Sequence, residues 1–225
     1  MGILLAQNDV PVTLLARTEA EAETLASQGR NSRFLPDAPC PDHLSVTGEP
    51  ELALKQSNLV IIAVPSDRLR ENVQRIRPHL RAGAIVLSAT KGLELPTARR
   101  MSQVLEDELP AAFHEDICVL SGPNLAKEIV AGKAASTVIA STNPDAAQKA
   151  QNALMSAVFR VYTSPDVLGV ELAGDGILVN AVCPGLIDTE MVQTTIPSDK
   201  VKAYADSFPI PRLGQPREVA DLVAF

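Results

Sequence analysis

The chain has no tryptophan and only 3% aromatic residues. Its apolar content is instead Ala, Leu and Val, a mix that suits aliphatic strands packed between helices better than a β-sandwich. Cysteine is scarce: Cys40, Cys118 and Cys183 are far apart, odd in number and form no C-x-x-C pair. That argues against a disulfide framework and for reduced thiols in a cytoplasmic protein. The three histidines, His43, His79 and His114, lack metal-ligand spacing, so no metal site is expected. Positive charge is in deficit, with a net charge of −7. An acidic surface opposes a general nucleic-acid or anionic-membrane role, because both need a net positive field. No apolar run reaches the roughly 18 residues of a membrane span. The N-terminus shows no basic segment, apolar core and cleavage site of a leader. There is no internal repeat and no low-complexity linker.

What is present is a chain of 225 residues with 46% hydrophobic content, enough for one large domain or one domain plus a fragment. Short apolar runs alternate with amphipathic stretches. Strands are expected over 12–16, 44–47, 58–64, 84–89 and 117–120. Helices are expected over 18–28, 50–55, from Ser66 as cap to about His79, and from Thr97 to near Pro110. Asn143-Pro144 and Ser164-Pro165 each read as a cap followed by proline in the first helical turn. The run NLVIIAV (58–64) has no alternation, which predicts burial on both faces and hence a parallel sheet covered by helices. The expected fold class is α/β, a doubly wound parallel sheet.

Such a sheet binds ligands beyond the carboxyl ends of its strands, so residues there are the site candidates. Arg17 follows the first expected strand, where an acid favours NAD and an arginine can pair with a 2′-phosphate; a solvated arginine explains it equally well. Pro65 and Ser66 end the next buried strand, although an ordinary strand-to-helix turn would look the same. Lys91-Gly92 follows another, where a lysine can hold an anion and a glycine lets the backbone come close. Ser121-Gly122-Pro123-Asn124 follows a fourth and opens a helix, a place for a polar ligand. Residues 2–9 read as the end of a first helix. The strand and G-x-G-x-x-G turn that precede such a helix in a dinucleotide fold are not in this sequence.

The segments VTLLAR, NSRFLP, LVIIAVPS, LSATKGLE, RMSQVLEDELP, VLSGPNLAKEI and FRVYTSPDVLGVELAG, in that order over residues 2–174, resemble the bacterial-type NAD(P)-dependent glycerol-3-phosphate dehydrogenases. The resemblance implies a Rossmann-like cofactor domain and hydride transfer between NAD(P)H and dihydroxyacetone phosphate, giving sn-glycerol 3-phosphate, a phospholipid precursor. It implies cofactor contacts at Arg17, Pro65, Lys91 and Ala126, and substrate contacts at Lys91, Gly122 and Asn124. Asn124 stands where the family commonly has Ser or Thr. NADP and NAD are the implied cofactors, the partner is a small phosphorylated substrate, and a homodimer stays open.

In that family, GVELAG runs into a helix carrying the catalytic lysine. Here Gly174 is followed by DGILVNAVCPGLIDT (175–189), which, with PIPRLGQPREVA (209–220), resembles the C-terminal part of a short-chain dehydrogenase/reductase of the 3-oxoacyl-carrier-protein reductase type. By that resemblance Pro184, Gly185 and Thr189 would meet the nicotinamide end. That family's Tyr-x-x-x-Lys is not matched: neither Tyr162 nor Tyr204 has a lysine four positions on. The chain therefore reads as a chimera. Residues 1–174 form a partial dinucleotide-binding domain and 175–225 a short-chain-type αβ tail, joined at Glu171-Leu172-Ala173-Gly174, which fits both families. No catalytic residue is assigned. Three readings follow: a glycerol-3-phosphate dehydrogenase with impaired turnover, a short-chain reductase fragment, and a non-catalytic nucleotide-binding protein.

Overall fold

The computed structural model describes residues 1–174, 186–206 and 211–223. The chain divides into two compact units, Met1–Leu178 and Val179–Phe225.

The first unit begins with α1 (Gly2–Gln7), β1 (Val12–Leu15), α2 (Glu19–Gln28), β2 (Leu44–Thr47), α3 (Pro50–Leu54) and β3 (Leu59–Ile62). It continues through α4 (Leu69–Ile76), β4 (Ile85–Ser88), a hairpin of β5 (Leu93–Glu94) and β6 (Arg99–Arg100), and α5 (Met101–Glu108). It closes with β7 (Ile117–Ser121), α6 (Ala126–Val130), β8 (Ala135–Ala140), α7 (Pro144–Leu154), β9 (Phe159–Ser164) and α8 (Val167–Gly174). The main sheet has the order β3-β4-β7-β8-β9, and β1-β2 is a separate two-stranded parallel sheet.

Side-chain alternation puts one core on each face of the main sheet. On one face Val60, Ile62 and Val86 pack with Leu69 and Val73 of α4 and Val104 and Leu105 of α5. On the other, Ile85, Leu87, Cys118 and Leu120 pack with Ala146, Ala150 and Leu154 of α7 and with Phe159 and Val161. Cys118 is fully buried, and desolvation pushes its thiol up to about 11. It is a core side chain, not a reactive one. Strand β1 shares both cores, Val12 packing against the second and Leu15 against the first.

The Asn143 capping reading matches the structure, and Thr18 caps α2 as well. Thr18 Oγ1 accepts from the Glu21 amide at 3.2 Å, and Asn143 Oδ1 from the Asp145 and Ala146 amides at 3.0 and 3.4 Å. Other expectations need correcting. The strand expected to be buried on both faces is shorter, and its Leu59 and Ile61 are only half-buried, because β3 ends its sheet. The sheet is not wholly parallel: β8 runs antiparallel to β7, and β9 follows β8 in parallel through α7. Ser66 does not cap a helix; it starts a 3₁₀ turn, Ser66–Arg68, before α4. Thr97 does not open a helix either, because residues 93–100 form the hairpin and α5 starts at Met101. At the last helix the cap is Asp166, whose Oδ1 accepts from the Gly169 amide at 2.9 Å; Ser164 Oγ instead takes the Asp166 amide.

Polar contacts fix the parts to one another. Arg75 of α4 donates to the carbonyls of Ala16 (3.2 Å) and Gly48 (2.5 Å), at the carboxyl ends of β1 and β2. Asn8 donates to the Ala153 and Met155 carbonyls. A larger network joins α4, the β5-β6 hairpin and α5. Arg70 pairs bidentately with Glu94 (2.7 and 2.9 Å) and also reaches Glu108 (2.6 Å) and Asp107 (3.2 Å). Arg77 and Arg99 complete it through Glu108 and Asp107.

In the second unit the described helices are α9 (Glu190–Thr195), α10 (Ser198–Asp206) and α11 (Pro216–Val223). Thr189 caps α9, and Arg212 forms a bidentate pair with Glu218. The expected strand Ile177–Val182, together with Pro184 and Gly185, lies outside the described residues. Among the described residues no helix is long and apolar enough to cross a membrane.

Candidate functional site

The carboxyl ends of β4 and β7 form one cleft, lined by Ser88, Thr90, Lys91, Gly92, Met101, Val119, Leu120, Ser121 and Glu171. Parallel strands aim their last residues and the loops behind them to the same edge, and β4 and β7 are paired in parallel. The Lys91 ammonium, exposed, donates to the Gly122 carbonyl at 2.8 Å. This joins two of the candidate loops directly. An ammonium has three donors, and the bond to Gly122 takes one of them.

Both glycines are needed for close approach. Gly92 sits at φ +104°, where a side chain is strained, and a Cβ there would lie 3.1 Å from Ser66 Oγ. A Cβ on Gly122 would lie 2.9 Å from the Ser136 carbonyl oxygen and 3.0 Å from Thr137 Cα, both on β8. The antiparallel β8 therefore forms the back wall of the Gly122 loop. Thr137 Oγ1 donates to the Ser121 carbonyl and accepts from Asn124 Nδ2, both at 2.9 Å. The other half of that amide, Asn124 Oδ1, is buried and has no hydrogen-bond partner among the described residues. A buried acceptor left unmatched costs about 1–3 kcal/mol, so this oxygen is one that a ligand donor would satisfy.

Pro65 stands at the mouth of the same region. The Val64 amide donates to Thr90 Oγ1 at 3.3 Å, and Ser66 lies against Gly92. Ala126, exposed, is the first residue of α6. The structure thus brings Pro65, Lys91, Gly122 and Asn124 to one edge. Arg17 is not part of that cleft: it follows β1 in the two-stranded sheet, with its guanidinium held by Glu21.

Sequence reasoning missed one polar centre of the cleft. Glu171 of α8, with only 8% of its side chain exposed, accepts from Arg100 Nη1 (2.6 Å), Ser102 Oγ (2.7 Å) and the Ser102 amide (2.7 Å). That amide is one of the unpaired N–H groups at the start of α5, where a carboxylate is favoured by the helix dipole. Gln103 reaches back to the Arg100 amide at 3.1 Å. The partners are about seventy residues apart in sequence, and no local spacing signals them.

Residues 1–147 match the family model described as the NAD-dependent glycerol-3-phosphate dehydrogenase N-terminus. The chain belongs to this family. Among its glycerol-3-phosphate dehydrogenase relatives, the NAD(P)+ enzyme of Dehalococcoides mccartyi is 42% identical over 189 residues, covering 84% of this chain and 53% of the relative. That of Nocardia farcinica is 45% identical, covering 76% and 52%. The solved glycerol-3-phosphate dehydrogenase of Coxiella burnetii superposes with a TM-score of 0.71 at 29% identity, over 77% of this chain and 52% of that one. The chain spans about half the length of the curated glycerol-3-phosphate dehydrogenases it matches. A second model, described as enoyl-(acyl carrier protein) reductase, matches residues 118–225. The two matches overlap over residues 118–147.

Proposed function

We propose that this chain carries the cofactor- and phosphate-binding half of a glycerol-3-phosphate dehydrogenase, acting between NAD(P)H and dihydroxyacetone phosphate. The observation that carries the reading is the Lys91–Gly122 bond at the cleft edge, where a cation with further donors stands over two close-packed glycine loops. A bound nicotinamide would supply the hydride. Lys91 holds the phosphorylated ligand by charge-assisted hydrogen bonds. Asn124 Oδ1, unpartnered and buried, accepts from a hydroxyl or amide donor of the ligand. Gly92 and Gly122 let backbone approach where a side chain would fill the space. Pro65 and Ala126 border the cofactor, and Arg17 meets its adenosine end. A domain organisation of 1–174 as the cofactor-binding part and 175–225 as a short-chain-type tail belongs to the same proposal. So does a cytoplasmic location, which the free thiols of Cys40 and Cys118 suit.

Binding of NADPH and of dihydroxyacetone phosphate, followed by calorimetry, tests this. Lys91→Ala should weaken dihydroxyacetone phosphate by about 10–100-fold, the worth of a charge-assisted hydrogen bond, and leave the melting temperature unchanged. Equal affinity in the variant would end the assignment of Lys91, and no binding of either ligand to the unaltered chain would end the reading as a whole.

A second reading rests on the match of residues 118–225 to the enoyl-(acyl carrier protein) reductase model: a short-chain reductase segment acting on an acyl thioester. NADPH oxidation driven by an acetoacetyl thioester, and not by dihydroxyacetone phosphate, would favour it.

A further inference from the structure

Glu21 lies one helical turn beyond Arg17 and holds the Nε/Nη2 edge of its guanidinium. Arg17 Nε donates to Oε2 and Nη2 to Oε1, both at 3.0 Å, while the Arg17 amide donates to Oε2 at 3.2 Å. Arg17 is 79% exposed in its side chain and Glu21 35%. The arginine hydrogen bond, more than anything else, holds the Glu21 carboxyl below its usual range, and Arg33 adds to the same field. The Glu21 carboxylate therefore neutralises Arg17 at the carboxyl end of β1. The other acid in the first turn of α2, Glu19, is committed elsewhere, accepting from the Gly48 amide at 2.8 Å.

We propose that Glu21 sets cofactor choice: by holding one edge of the Arg17 guanidinium, it leaves the carboxyl end of β1 able to receive either a 2′-hydroxyl or a 2′-phosphate. This rests on the reading of the cleft as a dinucleotide site. A 2′-phosphate needs the bidentate face of Arg17. The Nε/Nη2 edge is already held by a carboxylate, so the phosphate must displace it or settle on the Nη1/Nη2 edge beside that negative charge. A neutral 2′-hydroxyl does neither, and can donate to the carboxylate. The pair is exposed, so its own strength is small and the phosphate can win. The result is a weak preference rather than exclusion. Without the carboxylate, the Arg17 charge is unopposed and the preference for the 2′-phosphate rises.

The test uses the full chain with adenosine 2′,5′-bisphosphate and 5′-AMP as probes in calorimetry. Glu21→Gln should tighten the bisphosphate by about three- to tenfold, the scale of one exposed ion pair plus the relieved repulsion, and leave 5′-AMP within about twofold. Glu21→Asp, too short to span the turn but still charged, should gain less than Gln. The double variant Arg17→Ala/Glu21→Gln should lose the gain. Thr18 still caps α2 in all of them, because the cap uses the residue 21 amide and not its side chain. An unchanged ratio of the two affinities in Glu21→Gln would overturn the proposal. So would equal weakening of both probes, which would make Glu21 a structural residue. If neither probe binds the unaltered chain, the dinucleotide reading fails and this proposal falls with it.

Discussion

Arg70→Met should lower the unfolding free energy by about 3 kcal/mol at neutral pH, the scale of removing one partner from a largely buried ion pair. Three carboxylates converge on that guanidinium, and two of them, Glu94 and Glu108, have only 12% and 11% of their side chains exposed. Arg77 and Arg99 still serve Glu108 and Asp107 in the variant, but Glu94 keeps only the Thr97 hydroxyl. Acid makes the point sharper. The hydrogen bonds from Arg70, then from Thr97, hold the Glu94 carboxyl down to about 2, against 4.5 in the unfolded chain. A group depressed on folding binds its proton more weakly in the native state. Its stabilisation is therefore complete above about pH 4.5 and is lost as pH falls through about 2. Urea unfolding between pH 7 and pH 2 should show this loss in the unaltered chain and a much flatter profile over the same window in Arg70→Met. Parallel profiles would show that Arg70 is not what holds Glu94 ionised.

Glu171→Ala should cost about as much, and for a different reason. The carboxylate pairs with Arg100, takes the Ser102 hydroxyl and satisfies an amide at the start of α5. Its loss strands a cation with 23% of its side chain exposed and an N-terminal amide together. A cost of about 3 kcal/mol corresponds to a fall of roughly 10 °C in the melting temperature for a chain of this size. Glu171→Gln, which keeps the shape and the acceptor oxygen, should fall by less than half as much. Equal melting temperatures for Ala and the unaltered residue would mean that α8 is held on α5 by apolar packing alone.

Local chemistry was the legible part of this sequence. Asn143 caps as read, because capping depends only on residues two or three apart. The strand at 117–121 and the strand at 44–47 follow directly from their apolar runs. What escaped depends on distant partners. The run NLVIIAV reads as doubly buried because composition cannot say whether a strand ends its sheet, and β3 does. The β5-β6 hairpin has two residues per strand, too short for any period to register. Strand β9 does alternate, with Phe159 and Val161 buried and Arg160 and Tyr162 exposed, so period-2 counting would have found it. The loops at 65, 91 and 122–124 were legible because glycine, proline and lysine at strand ends are chemically distinctive. Glu171 was not, since a glutamate in an apolar helix signals nothing until Arg100 and Ser102 are seen beside it.

The separation of the β1-β2 pair from the group of five strands implies two rates of opening. Among the described residues, strands β1 and β2 have only each other for strand pairing, with Arg75 fastening their ends to α4. The middle strand β4 is bonded on both sides. Amide protons of Thr13 and Leu14 should therefore exchange with deuterium far sooner than those of Val86 and Leu87, through local opening that leaves the larger group intact. Arg75→Ala should speed the first set and leave the second unchanged. The pair of strands at whose end Arg17 stands would then open more easily than the group of five.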